Sequence, residues 1–120
     1  MATLEEVRKG ALELLGRADP YNTVDTTLDT AIGNEYTGLW NNLERRSIVF
    51  WGLTEDVPDE FRHMVEYLLA FFYGAKIAVS DTRWQRIIET VGRDGEKGFK
   101  EIRRLAKGIN TNEVVPGNFI

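Results

Sequence analysis

Few side chains in this sequence could do chemistry, and the clearest candidate is the single histidine, His63. Asp59 and Glu66 lie within helical reach of it. One histidine cannot build a multi-histidine metal site, and a catalytic triad would need an activated serine beside it. The only two serines, Ser47 and Ser80, do not stand in a nucleophile-elbow sequence. We therefore interpret His63 as a surface or interface residue.

Adjacent carboxylates and glycines are the other features that could form a site. Carboxylate pairs occur at 5–6, 55–56 and 59–60, each at an expected helix start, where the positive end of the helix dipole accounts for them. The eleven glycines include neither a dinucleotide-binding nor a P-loop spacing. The chain has no cysteine, which excludes disulfides, thiol catalysis and thiolate metal sites. We expect no catalytic residue, no cofactor and no metal, and hence no enzyme.

Length and composition indicate one folded domain. The chain has 120 residues, an ordinary domain size, and 42% of them are hydrophobic, which is enough for a packed core. The longest apolar run, 67–73, is far shorter than the roughly 20 residues that a membrane span needs. No apolar run follows a basic start, so no signal peptide is expected. These observations predict a soluble protein, made inside the cell, with no membrane partner.

The stretch 54–80 organises the rest of the chain. Its entry is acidic and contains Pro58, which suits the first turn of a helix. Between residues 67 and 73 the sequence is apolar almost all the way round a helix, so we predict a central helix buried against helices of this subunit or of a neighbour. Apolar residues recur in steps of three and four, as on a buried helical face, at Phe61, Met64, Val65, Leu68, Leu69, Phe72, Ala75 and Val79.

Three more helices are predicted around this central one. The first covers 3–16, where Thr3 and Glu6 have capping-box spacing. The second covers 24–45, with apolar residues again in steps of three and four. The third covers 81–107, where three glycines interrupt the pattern. Because the apolar stripe stays in phase across them, we favour one kinked helix over a break in the middle.

Two segments do not fit the helical pattern. Residues 47–53 could form a strand, but a lone strand has no partner, so we favour a buried loop in which Phe50 and Trp51 fill the core. The alternative is a wedge that contacts a tail protein or another partner.

The predicted fold is all-α, a small bundle of about four helices over 1–107 followed by an extended C-terminal tail over 108–120. We predict that the tail docks on a partner through Val114, Val115, Pro116, Phe119 and Ile120.

The net charge of −4 conceals an asymmetry. Residues 81–107 hold eight Lys/Arg and five Asp/Glu, whereas the remainder holds seven and fourteen. Such polarity suits a subunit whose basic surface meets the acidic surface of a neighbour, although a solvated helix face with mixed charge explains it equally well. The predicted inter-subunit charged face consists of Arg83, Arg86, Arg93, Lys97, Lys100, Arg103 and Arg104.

The order of these segments is characteristic as well. A short helix ends in ALELLG, and the next carries LWNNL at 39–43. An aromatic stretch follows, then VPDEF at 57–61 and a helix with LA at 69–70 and YG at 73–74. A charged helix and a proline-bearing tail complete the chain. This order resembles the head-to-tail adaptor (connector) proteins of tailed bacteriophages, the class related to packaged-DNA stabilisation proteins.

The resemblance implies a structural virion protein, made in the host cytoplasm. Its relatives form a ring, usually of twelve copies, beneath the portal protein, and the ring extends the DNA channel and receives a tail or nozzle protein. DNA passes through such a channel without sequence-specific binding. C-terminal segments in the family commonly clasp the portal or a neighbouring subunit, which implies that role for 114–120. The chain departs from longer relatives because SIVFWGL stands where some of them carry a β-hairpin.

Two other functions fit the sequence without the resemblance. One is a small cytosolic regulatory protein that acts as a helical dimer through protein–protein contacts. The other is a nucleic-acid-binding module that uses the basic residues between Arg93 and Lys107. The acidic net charge disfavours the second, because phosphate backbones are bound mainly by positive charge.

Overall fold

The computed structural model describes residues 1–19, 21–49 and 51–114, with side chains through Lys107. Within these residues the chain is all-α and contains no strand, only an isolated bridge between Ala2 and Val57. The all-α prediction is confirmed. None of the described helices is long and apolar enough to cross a membrane. The elements are α1 (Leu4–Leu14), α2 (Thr26–Arg45), α3 (Asp59–Gly74), α4 (Asp81–Val91) and α5 (Glu96–Val114).

The helix α3 is the centre of the fold and packs against all four other helices. Phe61, Val65 and Leu68 on this helix are completely buried. The first turn carries acidic residues and follows Pro58, as the sequence predicts. The helix ends at Gly74. A Cβ at this position would lie 2.7 Å from the Trp84 ring, so the packing leaves no room for a larger residue. The apolar pattern that the sequence continues to residue 79 therefore lies partly in the loop after α3.

The helices α1 and α3 lie side by side and run in the same direction. At their starts, Ala2 and Val57 exchange two backbone hydrogen bonds of 2.9 and 2.8 Å. At their ends, Leu15 packs beside Gly74. The predicted capping box of α1 is present, with Thr3 and Glu6 hydrogen-bonded to each other's backbone N–H groups. The apolar stripe of α1 buries Val7, Ala11 and Leu12 against the neighbouring helices.

The single kinked helix predicted over 81–107 is wrong, because the structure has two helices there. Gly92 ends α4 with φ of 89°, and Gly95 precedes α5 with φ of 82°. These left-handed conformations break the helical hydrogen-bond ladder, and glycine adopts them without steric cost. The break gives five helices in the described chain where about four were predicted. The α5 backbone also continues through Val114, seven residues beyond the predicted boundary at 107.

The aromatic segment between α2 and α3 is a loop over its described residues, with no strand in 47–49 or 51–53, and it buries Ile48 and Trp51. Trp51 is only 5% exposed, and its ring centroid lies 5.2 Å from that of Phe61 on α3. Its indole N–H donates to the Tyr36 hydroxyl at 3.1 Å, and its carbonyl accepts from the Trp40 indole at 3.1 Å. Trp51 therefore connects α2 to the central helix. Phe50 lies outside the described residues.

The apolar surplus of α3 is covered largely within the chain. Phe71 stacks on Trp84 of α4, with centroids 5.7 Å apart and planes within 9°. Phe72 packs 6.0 Å from Phe99 of α5. Both α3 aromatics are half-buried, and among the described large hydrophobic residues only Met1 and Tyr21 are exposed. A sizeable apolar surface for a neighbouring subunit is therefore not present on this part of α3.

Candidate functional site

All seven residues of the predicted charged face are exposed, but the structure distributes them over two helices and the loop between them. The charge is uneven along this region. Residues 81–95 hold three basic and three acidic side chains, whereas 96–107 hold five basic and two acidic ones. The whole excess of positive charge in 81–107 therefore belongs to α5.

The basic residues of α5 form a continuous strip along one side of that helix. At about 100° per residue they fall within roughly one third of its circumference. Phe99 and Ile102, on the opposite side, are buried against the core. We call this strip the basic stripe, and it consists of Lys97, Lys100, Arg103, Arg104 and Lys107.

Most of the stripe has no carboxylate partner among the described side chains. Arg104 pairs with Glu101 through bonds of 2.7 and 2.8 Å, and Lys97 donates to the backbone carbonyl of Glu89 at 2.9 Å. Lys100 interacts with Glu96 only at longer range. The side chains of Arg103 and Lys107 make no hydrogen bond or ion pair with another described side chain. Lys100, Arg103 and Lys107 can therefore meet acidic groups on a partner.

A polar anchor holds the start of α5 against the end of α2. The Arg46 guanidinium donates to both oxygens of Glu96, at 3.1 and 2.8 Å, and lies 4.0 Å from the centroid of the Phe99 ring. The hydrogen bond from Arg46 is the main reason that the pKa of Glu96 is lowered, and it also raises the pKa of Arg46. This two-pronged contact holds the start of α5 against the end of α2, and the burial of Phe99 and Ile102 turns the stripe away from the core.

The other predicted cations lie apart from the stripe. Arg83 and Arg86 line a groove between α1, α3 and α4, together with His63 and Glu66. Arg83 donates to the Glu13 carbonyl at 3.1 Å, which ties α4 to the end of α1. Arg93 is exposed in the loop between α4 and α5. Arg83 and Arg86 therefore belong to this groove and not to α5.

The groove contains Glu66, a carboxyl group whose pKa is raised. Burial is the main cause that raises its pKa, although Arg62 donates to it at 3.0 Å and opposes the shift. Gly10 of α1 makes room for this carboxylate, since a Cβ at that position would overlap it. This contact explains a glycine in the middle of α1. His63 is exposed, with its ring 4.8 Å from that of Tyr67, and no described serine hydroxyl is bonded to it.

Acidic residues concentrate on a second surface, around the starts of α1 and α3. The hydrogen bonds between Ala2 and Val57 place these two helix starts next to each other. Sequence analysis found the carboxylate pairs but not their adjacency, because no local signal reports a contact across 55 residues. We call this surface the acidic end, and its exposed members are Glu5, Glu6, Glu55, Asp56, Asp59 and Glu60.

The acidic end is only partly neutralised within the chain. The amino group of Met1 lies 3.1 Å from Asp59, and Glu6 is held by the α1 capping box. Glu55 accepts from the backbone N–H of Gly52. Asp56 and Glu60 have no hydrogen bond or ion pair with another described residue. Their charge is therefore available to a partner.

The predicted docking tail falls mostly outside the described residues. Val114 is the last residue of α5, and its backbone is helical rather than extended. Val115, Pro116, Phe119 and Ile120 lie beyond the part of the chain that the structure describes. Their predicted contact with a portal or a neighbouring subunit stays a prediction.

Comparison with known proteins adds no identification. No protein-family model, no curated protein and no solved structure matches this chain. Within the described residues there is also no group of three or more histidine or acidic side chains that could hold a metal ion. What the geometry offers is a rigid helical body with an exposed basic stripe and an exposed acidic end.

Proposed function

We propose that this protein is a structural, non-enzymatic head-to-tail adaptor of a tailed bacteriophage, which assembles as a ring beneath the portal. The observation that carries the proposal is the exposed basic stripe on α5 of a chain whose net charge is −4. An acidic subunit with a concentrated basic surface, of which Arg104 alone is paired with a described carboxylate, is suited to bind copies of itself. The order of sequence segments, with VPDEF leading into the central helix, supports the same family.

In this proposal each part of the chain has a separate role. The core around α3 makes a compact subunit, and the exposed cations of α5 contact neighbouring subunits. Residues 114–120 clasp the portal or a neighbour, and the ring extends the DNA channel without reading its sequence. Trp51 is buried and connects α2 to α3, so this side chain holds the subunit together and does not itself meet a tail or nozzle protein.

Co-assembly with a portal ring tests the proposal. The purified protein is mixed with the portal protein encoded next to its gene, and the complex is separated by size-exclusion chromatography and imaged by electron microscopy. We expect the chain to co-elute with the portal as an added ring. A chain truncated after Glu113 should lose most of this association while keeping its helical circular dichroism spectrum. A monomer that never associates with the portal would contradict the proposal.

Salt dependence separates this function from nucleic-acid binding, which the stripe also favours as a second candidate. Assembly that rests on charge together with apolar docking of residues 114–120 should weaken only in part as salt rises from about 0.1 to 1 M, where the Debye length falls from about 10 to 3 Å. Affinity for DNA that rests on four phosphate contacts should instead fall steeply with salt. Measurable DNA binding with that steep dependence, and no portal association, would favour the second candidate.

A further inference from the structure

We infer that the basic stripe on α5 of one copy docks on the acidic end of a second copy, as a head-to-tail contact between subunits. This inference rests on the proposed ring function and identifies the two surfaces that join the ring. Of the predicted charged face it keeps the residues on α5, to which the stripe adds Lys107. It also identifies the surface that they contact on the neighbour, around Asp56 and Glu60.

The stripe needs a partner with several closely spaced anionic groups. Lys100, Arg103 and Lys107 project from consecutive turns of one helix and have no described carboxylate within ion-pair distance. Among the described side chains, the one carboxylate paired with the stripe is Glu101, whose two oxygens both accept from Arg104. The anchor between Arg46 and Glu96 sets the orientation of the helix before a partner binds, which lowers the ordering cost of association.

The acidic end has the matching properties on the same molecule. Four carboxylates occur within six consecutive residues, 55–60, and all four are exposed. The bridge between Ala2 and Val57 adds the exposed Glu5 from α1 to the same surface. The dipoles of α1 and α3 compensate the first-turn carboxylates, but Asp56 lies before α3 and outside that compensation.

The charge of the two surfaces decides which contacts are favoured. A two-fold dimer through α5 alone would place one stripe against another, and a dimer through the acidic end alone would oppose carboxylates. Both arrangements bring like charges together, which disfavours them. A contact between the stripe of one copy and the acidic end of the next joins unlike charges, and when it is made head to tail it generates a ring if its rotation closes. Charge complementarity therefore favours this contact over a dimer through either surface alone.

A nucleic acid is the less suitable occupant of the stripe. Outside 81–107 the chain carries seven more acidic than basic groups, so its field repels a phosphate backbone at low salt. A second copy carries the same net charge of −4 and is also repelled at long range, but its acidic end presents several carboxylates to the stripe. We therefore expect the contact to form at the high protein concentrations at which subunits assemble.

The test uses the full chain in isotopically light and heavy forms, mixed and treated with a carbodiimide, which joins lysine amines to carboxylates in direct contact. We expect mixed-isotope peptides that link Lys100 or Lys107 to residues 55–60. The paired substitution Lys100→Glu, Arg103→Glu should reduce these links at least tenfold, and so should Asp56→Lys, Glu60→Lys. Mixing the two reversed proteins should restore links between them. Circular dichroism verifies that each variant is folded.

The control Arg45→Glu, Arg86→Glu changes the net charge by the same amount on exposed residues away from the stripe. It should leave the links unchanged, and an equal loss would overturn the inference. Links between chains at other surfaces, or none at any concentration, would also overturn it. Portal co-elution is scored separately, so a protein that joins the portal without these links rejects the interface and keeps the function. Binding of a 20-base-pair duplex that Lys100→Glu, Arg103→Glu abolishes, without such links, would assign the stripe to DNA instead.

Discussion

The central helix α3 and the last helix α5 use their side chains in opposite ways. The helix α3 buries eight of its sixteen residues and meets every other helix. The helix α5 presents Phe99 and Ile102 to the core and five cations to solvent. The two helices therefore serve two different tasks, folding and association. Changes on α3 should affect folding, and changes on the exposed side of α5 should affect association.

The two helices also contact each other directly, so the tasks of folding and association are not fully independent. Gly98 of α5 packs on Leu68 of α3, and Phe99 packs near Phe72. The buried side of α5 therefore belongs to the same core as α3, and only its outer side is independent. The following changes test this division, beginning with the largest expected effect.

Replacing Phe61 with alanine should cause the largest loss of stability. The side chain is completely buried and packs 5.2 Å from Trp51, so truncation leaves a cavity that costs about 3–5 kcal/mol of unfolding free energy. Urea denaturation measures the change. The matched control is Tyr21→Ala, at a residue 92% exposed, which should change stability by less than about 0.5 kcal/mol. Equal losses in the two variants would contradict the assignment of α3 as the core helix.

A pair of glycine substitutions sharpens the contact between α3 and α5. At Gly98 an added Cβ would lie 2.8 Å from Leu68 Cδ2 and 3.1 Å from Val91 Cβ, so Gly98→Ala should cost about 1–3 kcal/mol by overpacking. At Gly38, within α2, an added Cβ would meet nothing within 4 Å. Gly38→Ala should therefore stabilise the protein by roughly 0.5–1 kcal/mol through helix propensity. Thermal unfolding of both variants gives the two signs, and a stabilising Gly98→Ala would show that α5 does not pack closely on α3.

Two glutamates should respond to pH in opposite directions, with effects smaller than those above. The pKa of Glu96 on α5 is lowered, so its contribution to stability is full above the ordinary carboxyl pKa and is lost as pH falls through the lowered value. The pKa of Glu66 on α3 is raised by burial, so its ionisation costs stability once pH rises through the raised value. Both statements refer to the free energy of unfolding.

Substitution by glutamine exposes this difference. At pH 7, Glu96→Gln should destabilise the protein and Glu66→Gln should stabilise it, because the second change removes a desolvated charge. Both differences from the original protein should shrink as pH falls towards 3. Chemical denaturation at pH 7 and at lower pH measures them. If the two variants shift stability in the same direction at pH 7, the described environments of these carboxyls are wrong.

Much of the helical pattern was accessible from local residue types. The capping box at Thr3 and Glu6, the acidic entry of α3 and the apolar stripe of that helix all depend on spacing within one or two turns. The break at Gly92 and Gly95 was missed, because an apolar stripe in phase across glycines does not distinguish a kink from two helices. Only the backbone conformation, with positive φ at both residues, decides between them.

The sequence by itself determined the helical class, the central position of α3 and the concentration of positive charge in 96–107, since these follow from periodicity and composition. The tertiary structure alone decided which distant groups meet: Trp51 with Tyr36, Gly10 with Glu66, and Arg46 with Glu96. It also decided that Ala2 pairs with Val57 and so joins the carboxylates of two helices into one acidic end. Such contacts depend on how the helices pack, and packing is a property of the whole chain that no short segment encodes.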